Sequence, residues 1–222
     1  TQQPENHPVI AAMLARLDES CGEIFRKIEE LGMLQNTIVI FYSDNGGKHS
    51  YAKQTPFRAG KGWLYEGGIR VPLIINWQGK TKPNTVSDAF ISSIDFFPTI
   101  LELSGNDKAS ANIDGKSFAS VMTDPSQTVH ENLFWHYPHY HAGSGMKPAG
   151  AIRSGNYKLI EWFEKSLTGE KNALELYNLE TDAGETKNVI KNNPEKAKEL
   201  MLLLNNWRKN VNAQMPAINE KE

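Results

Sequence analysis

Six residues with no polar alternation, Thr37-Ile38-Val39-Ile40-Phe41-Tyr42, constrain the fold of this chain more than any other segment. A strand of that texture is normally buried on both faces, which calls for a sheet covered by helices. The candidate cover stands just before it. Apolar residues at Val9, Ile10, Met13, Leu14, Leu17, Cys21, Ile24, Phe25, Ile28 and Leu31 recur on the 3.6-residue period of a helix, and Gly32 follows as a C-cap. In helix-covered sheets ligands bind beyond the strand carboxyl ends. The segment at that place is Ser43-Asp44-Asn45-Gly46-Gly47.

A second apolar run, Val71 to Trp77, reads as another core strand, with Pro72 near its first position, where a missing N–H is tolerated. Lys48 to Gly68, between the two, is polar, glycine-rich and longer than an ordinary connection, so it reads as a functional loop or lid. A short helix is expected over Ile94 to Leu103, with Pro98 in its first turn and Gly105 after its end, and a weaker one near Ser117 to Met122. After Pro125 the chain turns aromatic and His-rich, Phe134-Trp135-His136-Tyr137-Pro138-His139-Tyr140-His141, which reads as a loop. Short strands are expected at Ala149 to Ser154, Tyr157 to Phe163 and Leu174 to Leu179, with Gly155-Asn156 as a tight turn. A last helix begins with Asn193 as cap and Pro194 at its first position and runs to about Asn212. Trp162 and Phe163 are expected in the core of the small sheet, with Trp207 packed beneath it. The fold class is therefore α/β: a sheet flanked by helices over residues 1–125, then a small α+β subdomain over 126–222, with an antiparallel sheet and a packed carboxyl-terminal helix.

Composition narrows the function. Lys plus Arg number 24 against 26 Asp plus Glu, so the net charge of −2 gives no global attraction to nucleic acid or anionic lipid, and any anion chemistry must be local. No apolar stretch approaches the length of a membrane span, and the opening Thr1-Gln2-Gln3-Pro4-Glu5-Asn6 lacks a basic-then-apolar signal pattern. A single cysteine, Cys21, excludes an intrachain disulfide framework and any multi-cysteine metal site.

Asp44 and Asn45 are adjacent oxygen donors, and carboxylate plus amide oxygen suits a hard cation, Ca²⁺ or Mg²⁺, better than a transition metal. From the tetrapeptide alone, a simple Asp-Asn-Gly-Gly turn is the better reading. The next loop shifts the balance, because Lys48, His49, Arg58, Lys61 and Arg70 crowd cationic side chains near the same strand ends. A cation with basic side chains describes an oxyanion site. Lys61, flanked by Gly60 and Gly62, has a backbone free to bring its ammonium into a crowded site and neutralise charge developing on an oxygen.

In order, Ser43-Asp44-Asn45-Gly46, Arg58-Ala59-Gly60-Lys61-Gly62, Tyr65-Glu66-Gly67-Gly68-Ile69-Arg70-Val71-Pro72 and Ser92-Ser93-Ile94-Asp95-Phe96-Phe97-Pro98-Thr99 resemble the type I sulfatases of the alkaline phosphatase superfamily. The likeness runs on through Asp114-Gly115, Ala151 to Leu159, Leu176-Tyr177-Asn178-Leu179 and Asp182-Ala183-Gly184-Glu185, and so spans nearly the whole chain. It points to arylsulfatase-like enzymes that desulfate glycans. The resemblance implies that Asp44 and Asn45 are two of four calcium ligands and that Lys61 contacts the sulfate oxygens, with Arg58 on the substrate side. The family's nucleophile is a formylglycine made within a Cys/Ser-x-Pro-x-Arg motif, and that motif is absent here, as are the Asp pair that completes the calcium shell and the family's upstream Lys and His. Cys21, on the apolar stripe and followed by Gly22-Glu23-Ile24-Phe25, reads as core, and His7 as a surface residue. The chain thus resembles the carboxyl-terminal half of a sulfatase.

The aromatic run with His136, His139 and His141 reads as a pocket rim that contacts the glycan, against loop packing or a metal site. The expected partners are a sulfated saccharide or aryl sulfate, with no nucleic acid and no membrane span. Further expected partners are the missing amino-terminal half or a second copy of the chain joined through the exposed sheet edge. Calcium belongs to the intact parent, where the two donors here supply only part of a shell, and the isolated half is expected to be inactive. Family habit suggests periplasm or secretion. The rival readings are a phosphodiesterase or phosphonate hydrolase of the same superfamily and a non-enzymatic carbohydrate-binding module.

Overall fold

The computed structural model describes residues 7–105 and 113–218, so the opening six residues lie outside the description. In chain order the elements are α1 (Pro8–Glu30), β1 (Val39–Tyr42), α2 (Glu66–Ile69), β2 (Leu73–Asn76), α3 (Phe96–Leu103), α4 (Ala119–Thr123), β3 (Asn132–Tyr137), β4 (Ala149–Ser154), β5 (Tyr157–Trp162), α5 (Phe163–Thr168), β6 (Leu174–Asn178) and α6 (Pro194–Asn210). They form two compact units: residues 1–43 with 72–131, and residues 44–71 with 132–222.

In the first unit β1 and β2 pair antiparallel, Val39 opposite Asn76 and Tyr42 opposite Leu73. The expected burial of β1 on both faces is not met within this chain. Phe41 is 45% exposed, and α1 contains no buried residue, with Val9 70% exposed. The pattern of the apolar residues is as expected, but among the described residues no other layer covers them. Cys21, expected in a core, is half-buried on α1 for the same reason. Order in this unit centres on Asp95, which is fully buried at the start of α3. Its carboxylate accepts the backbone N–H of Ser92 at 2.7 Å and of Lys116 at 2.9 Å, and meets the His130 ring at 2.9 Å.

The second unit is built on a four-stranded antiparallel meander, β3-β4-β5-β6. His136, read as a loop residue, lies in β3 opposite Gly150 of β4. Phe163 starts the short helix α5 rather than ending a strand, a turn too brief for a helical period to show. Both faces of the sheet are buried, which is why its strands lack a polar alternation. Ala149, Ala151, Ile160, Trp162 and Tyr177 point to a face covered by Leu64 and Tyr65. Ile152, Leu159 and Leu176 point to the other, covered by Ala197, Leu200 and Leu204 of α6. Trp207 of α6 stacks flat on Phe134, ring centroids 5.0 Å apart.

Leu204 has no exposed surface while Leu202, on the same helix, is 62% exposed. Leu204→Ala should therefore destabilise the protein by about 2–5 kcal/mol, and Leu202→Ala by less than about 0.5 kcal/mol. Urea unfolding of both variants checks this; equal effects would contradict the packing of α6.

Candidate active site

Asp44 and Asn45 follow β1 in sequence, and the backbone just after them is drawn into the loop that carries Lys61. The Gly46 N–H donates to the Gly68 carbonyl at 2.9 Å, the Lys61 N–H to the Gly47 carbonyl at 3.0 Å, and the Gly67 N–H to the Arg58 carbonyl at 3.0 Å. A Cβ on Gly46 would stand 1.8 Å from the Gly67 oxygen, so only glycine permits this approach. Residues 46–47, 58–61 and 67–68 thus form one hydrogen-bonded backbone patch, which sets the Lys61 backbone against Gly47, two residues after Asn45. Asp44 and Lys61 are exposed and Asn45 is half-buried.

A buried charge network fixes this loop to the sheet. Lys158 of β5 is fully buried and sits directly opposite Arg153 of β4. Two cations opposed across strands repel, and Glu66 at the start of α2 relieves this by bridging them. Its Oε1 lies 3.2 Å from the Lys158 ammonium and its Oε2 3.0 Å from the Arg153 guanidinium. Glu185 supplies the second carboxylate, 2.8 Å from Lys158, and also accepts the Glu66 backbone N–H at 2.6 Å. Burial pushes the Glu185 carboxyl up, opposed by the adjacent Lys158. Glu185 adopts φ +51, held there by Asp182, whose carboxylate accepts the N–H groups of Thr186 and Lys187, each at 2.8 Å.

Arg58 and His136 are engaged within the fold. Arg58 donates to the Glu185 carbonyl at 2.9 Å and to the Tyr177 hydroxyl at 3.1 Å, and its guanidinium lies over the Tyr65 ring at 3.9 Å. The Tyr65 and Tyr177 hydroxyls both donate to Glu175, and burial followed by that carboxylate pushes both phenols up. The His136 ring meets the Gln214 carbonyl at 2.8 Å and packs against Phe163. His139 is exposed beyond β3, edge-on to Tyr137. Glu66, Arg153, Lys158 and Glu185 do not stand out in the sequence as a group, because they come together only in the fold. The available signal was Lys158 itself, a charge inside a strand with no polar alternation, which must find a buried partner.

As donors, Asp44 and Asn45 suit calcium in kind but supply only part of the roughly six to eight oxygens it takes. Among the described residues no three His, Cys, Asp or Glu side chains gather to hold a metal.

Residues 58–213 match the sequence model of the family described as N-sulphoglucosamine sulphohydrolase, C-terminal, and residues 1–106 match that described as Sulfatase. The chain belongs to the sulfatase family. It is 38% identical over 216 residues to a sulfatase from Formosa agariphila, covering 88% of this chain and 38% of that protein. It is 30% identical over 221 residues to an N-acetylglucosamine-6-O-sulfatase from Bacteroides thetaiotaomicron, covering 96% of this chain and 37% of that protein. A solved structure in complex with its substrate D-glucosamine-2-N,6-O-disulfate superposes with a TM-score of 0.76 at 29% identity, covering 94% of this chain and 41% of that one. The sulfatase chain thus spans about two fifths of the length of the curated relatives it matches. No helix among its described residues is long and apolar enough to cross a membrane.

Removing one member of a buried charge network leaves the others uncompensated. Lys158→Met, which keeps the stem but not the ammonium, should cost the sulfatase about 3–5 kcal/mol in denaturant unfolding. A loss below about 1 kcal/mol would show that Glu66 and Glu185 do not depend on it.

Proposed function

We propose that these residues form the carboxyl-terminal half of a calcium-dependent sulfatase that hydrolyses sulfate esters of a saccharide. The observation that carries the reading is the hydrogen-bonded patch joining Gly46-Gly47, just after Asp44-Asn45, to the loop that carries Lys61 in a chain of the sulfatase family. The saccharide is supported by the names of its relatives, an N-acetylglucosamine-6-O-sulfatase and an N-acetylgalactosamine-6-O-sulfatase among them.

In this reading the Lys61 ammonium donates hydrogen bonds to the sulfate oxygens and stabilises the charge that builds up as the S–O bond breaks. The Asp44 carboxylate and Asn45 amide oxygen would be among the oxygens that hold a calcium ion, which when bound would supply Lewis-acid withdrawal of charge from the sulfate. Arg58, stacked on Tyr65, holds the loop beneath, and its remaining N–H groups are the ones available to substrate. His139, exposed next to the exposed Tyr140 at the end of the aromatic segment, is the histidine this reading offers to a glycan, while His136 serves the packing of β3. The nucleophile and the rest of the calcium shell come from sequence that this chain does not contain, so the chain alone is inactive. The apolar residues of α1 and β1 pack on that other part of the polypeptide, or on a second copy in its absence. Family habit supports a periplasmic or secreted location for the protein.

The test is sulfate release by the full-length protein from sulfated N-acetylhexosamines and from an aryl sulfate. Lys61→Ala should lower kcat by about 10²-fold or more, with the variant as stable as the parent. An unchanged kcat would return Lys61 to an ordinary loop residue, and no sulfate release by the parent would end the sulfatase reading.

A further inference from the structure

The turn after the aromatic segment bears directly on the residue that follows Lys61. The Ser144 hydroxyl donates to the Gly62 carbonyl at 3.2 Å, and the Ser144 backbone N–H donates to His141 Nδ1 at 3.1 Å. In that bond His141 Nδ1 is the acceptor. The turn is itself closed at both ends: the His141 N–H donates to the Met146 carbonyl at 2.9 Å, and the Met146 N–H to the Ser144 hydroxyl at 3.2 Å. Met146, only 1% exposed, anchors it in the sheet core.

Gly62 has no room to move towards this turn. It adopts φ +85, and a Cβ on it would stand 2.9 Å from both His141 Nδ1 and the Ser144 hydroxyl. Lys61 is therefore held on both sides: its own N–H by the Gly47 carbonyl and the next carbonyl by Ser144. Neither Ser144 nor His141 needs to touch substrate for this to matter. A misplacement of about 1 Å in a charge-stabilising group is enough to cost up to 10²-fold in rate.

We propose that Ser144 and His141 are positioning residues for Lys61, a clamp that fixes the Lys61-Gly62 turn so that the ammonium stands ready for the sulfate. The proposal rests on the sulfatase reading above and adds to it two residues with a defined, indirect role. An effect exerted through Lys61 must vanish when Lys61 is absent, whereas a general structural role must persist.

The experiment is a double-mutant cycle in the full-length protein, with an aryl sulfate as substrate. Ser144→Ala should lower kcat about tenfold and change KM less than threefold, with an unchanged melting temperature. In a Lys61→Ala background the same substitution should change kcat less than twofold. His141→Ala provides a second route to the same loss, should Ser144→Ala unfold. An equal fall in both backgrounds, or no fall in either, overturns the proposal. A Lys61→Ala protein with the parent's kcat is a separate outcome, seen before any Ser144 variant is made. It would refute the role of Lys61 and the clamp with it.

Discussion

Glu66 and Glu185 share the buried ammonium of Lys158, and the arrangement of the 44–71 loop depends on that contact. Each of these charges has been taken out of water, at a cost that only close and complete pairing offsets. The contacts are close: Glu66 also reaches Arg153, its backbone N–H is taken by Glu185, and the Glu185 Oε1 meets Lys158 as an ion pair without a further hydrogen bond. The result is positional. A loop that would otherwise be a long polar connection is tied at Glu66 to β4, to β5 and to the turn at 182–187. An apolar contact in place of this network would bury the loop as well, but would not set its register to one residue.

From that anchor the candidate site is assembled by backbone rather than by side chains. Arg58 and Gly67 close a ring with Gly46 and Gly68 on its other side, and Lys61 is held to Gly47. Asp44 and Lys61 are left exposed on a patch in which the Gly46, Lys61, Gly67 and Gly68 amides donate to backbone carbonyls. Such a site can be rigid while lying open. Arg58 shows the same division, with one nitrogen bound to Tyr177 and Glu185 and its face laid over Tyr65.

How far the sequence reveals this depends on how local each signal is. α1 and α6 are legible because period and caps lie within one segment, and Gly155-Asn156 marks its hairpin because a two-residue turn demands such residues. Asp44, Asn45 and Lys61 are expected as a group from their order in a family pattern, and the structure adds amide bonds between Gly46-Gly47, next to the pair, and the loop that carries Lys61. The His and Tyr residues of β3 resemble a binding loop, whereas its strand state comes from pairing with β4, which its own residues do not encode. The Glu66, Arg153, Lys158 and Glu185 network is also non-local, its members 119 residues apart at the extremes. The Ser144 contact with Gly62 spans 82 residues and involves two residue types that are common in any turn. The exposure of β1 has a different origin: the apolar residues were recognised, and the layer that would cover them is not among the described residues.

Hydrogen exchange on a Glu185→Gln variant of the full-length protein tests most directly whether the buried network holds the site. This change removes one charge while keeping the volume. If the network positions the loop, the amides of Gly46, Lys61 and Glu66 lose protection together, by about tenfold or more, while those of Leu159 and Leu176 in the sheet keep theirs. Unchanged protection at Gly46 and Lys61, or a uniform loss across loop and sheet alike, would contradict the account.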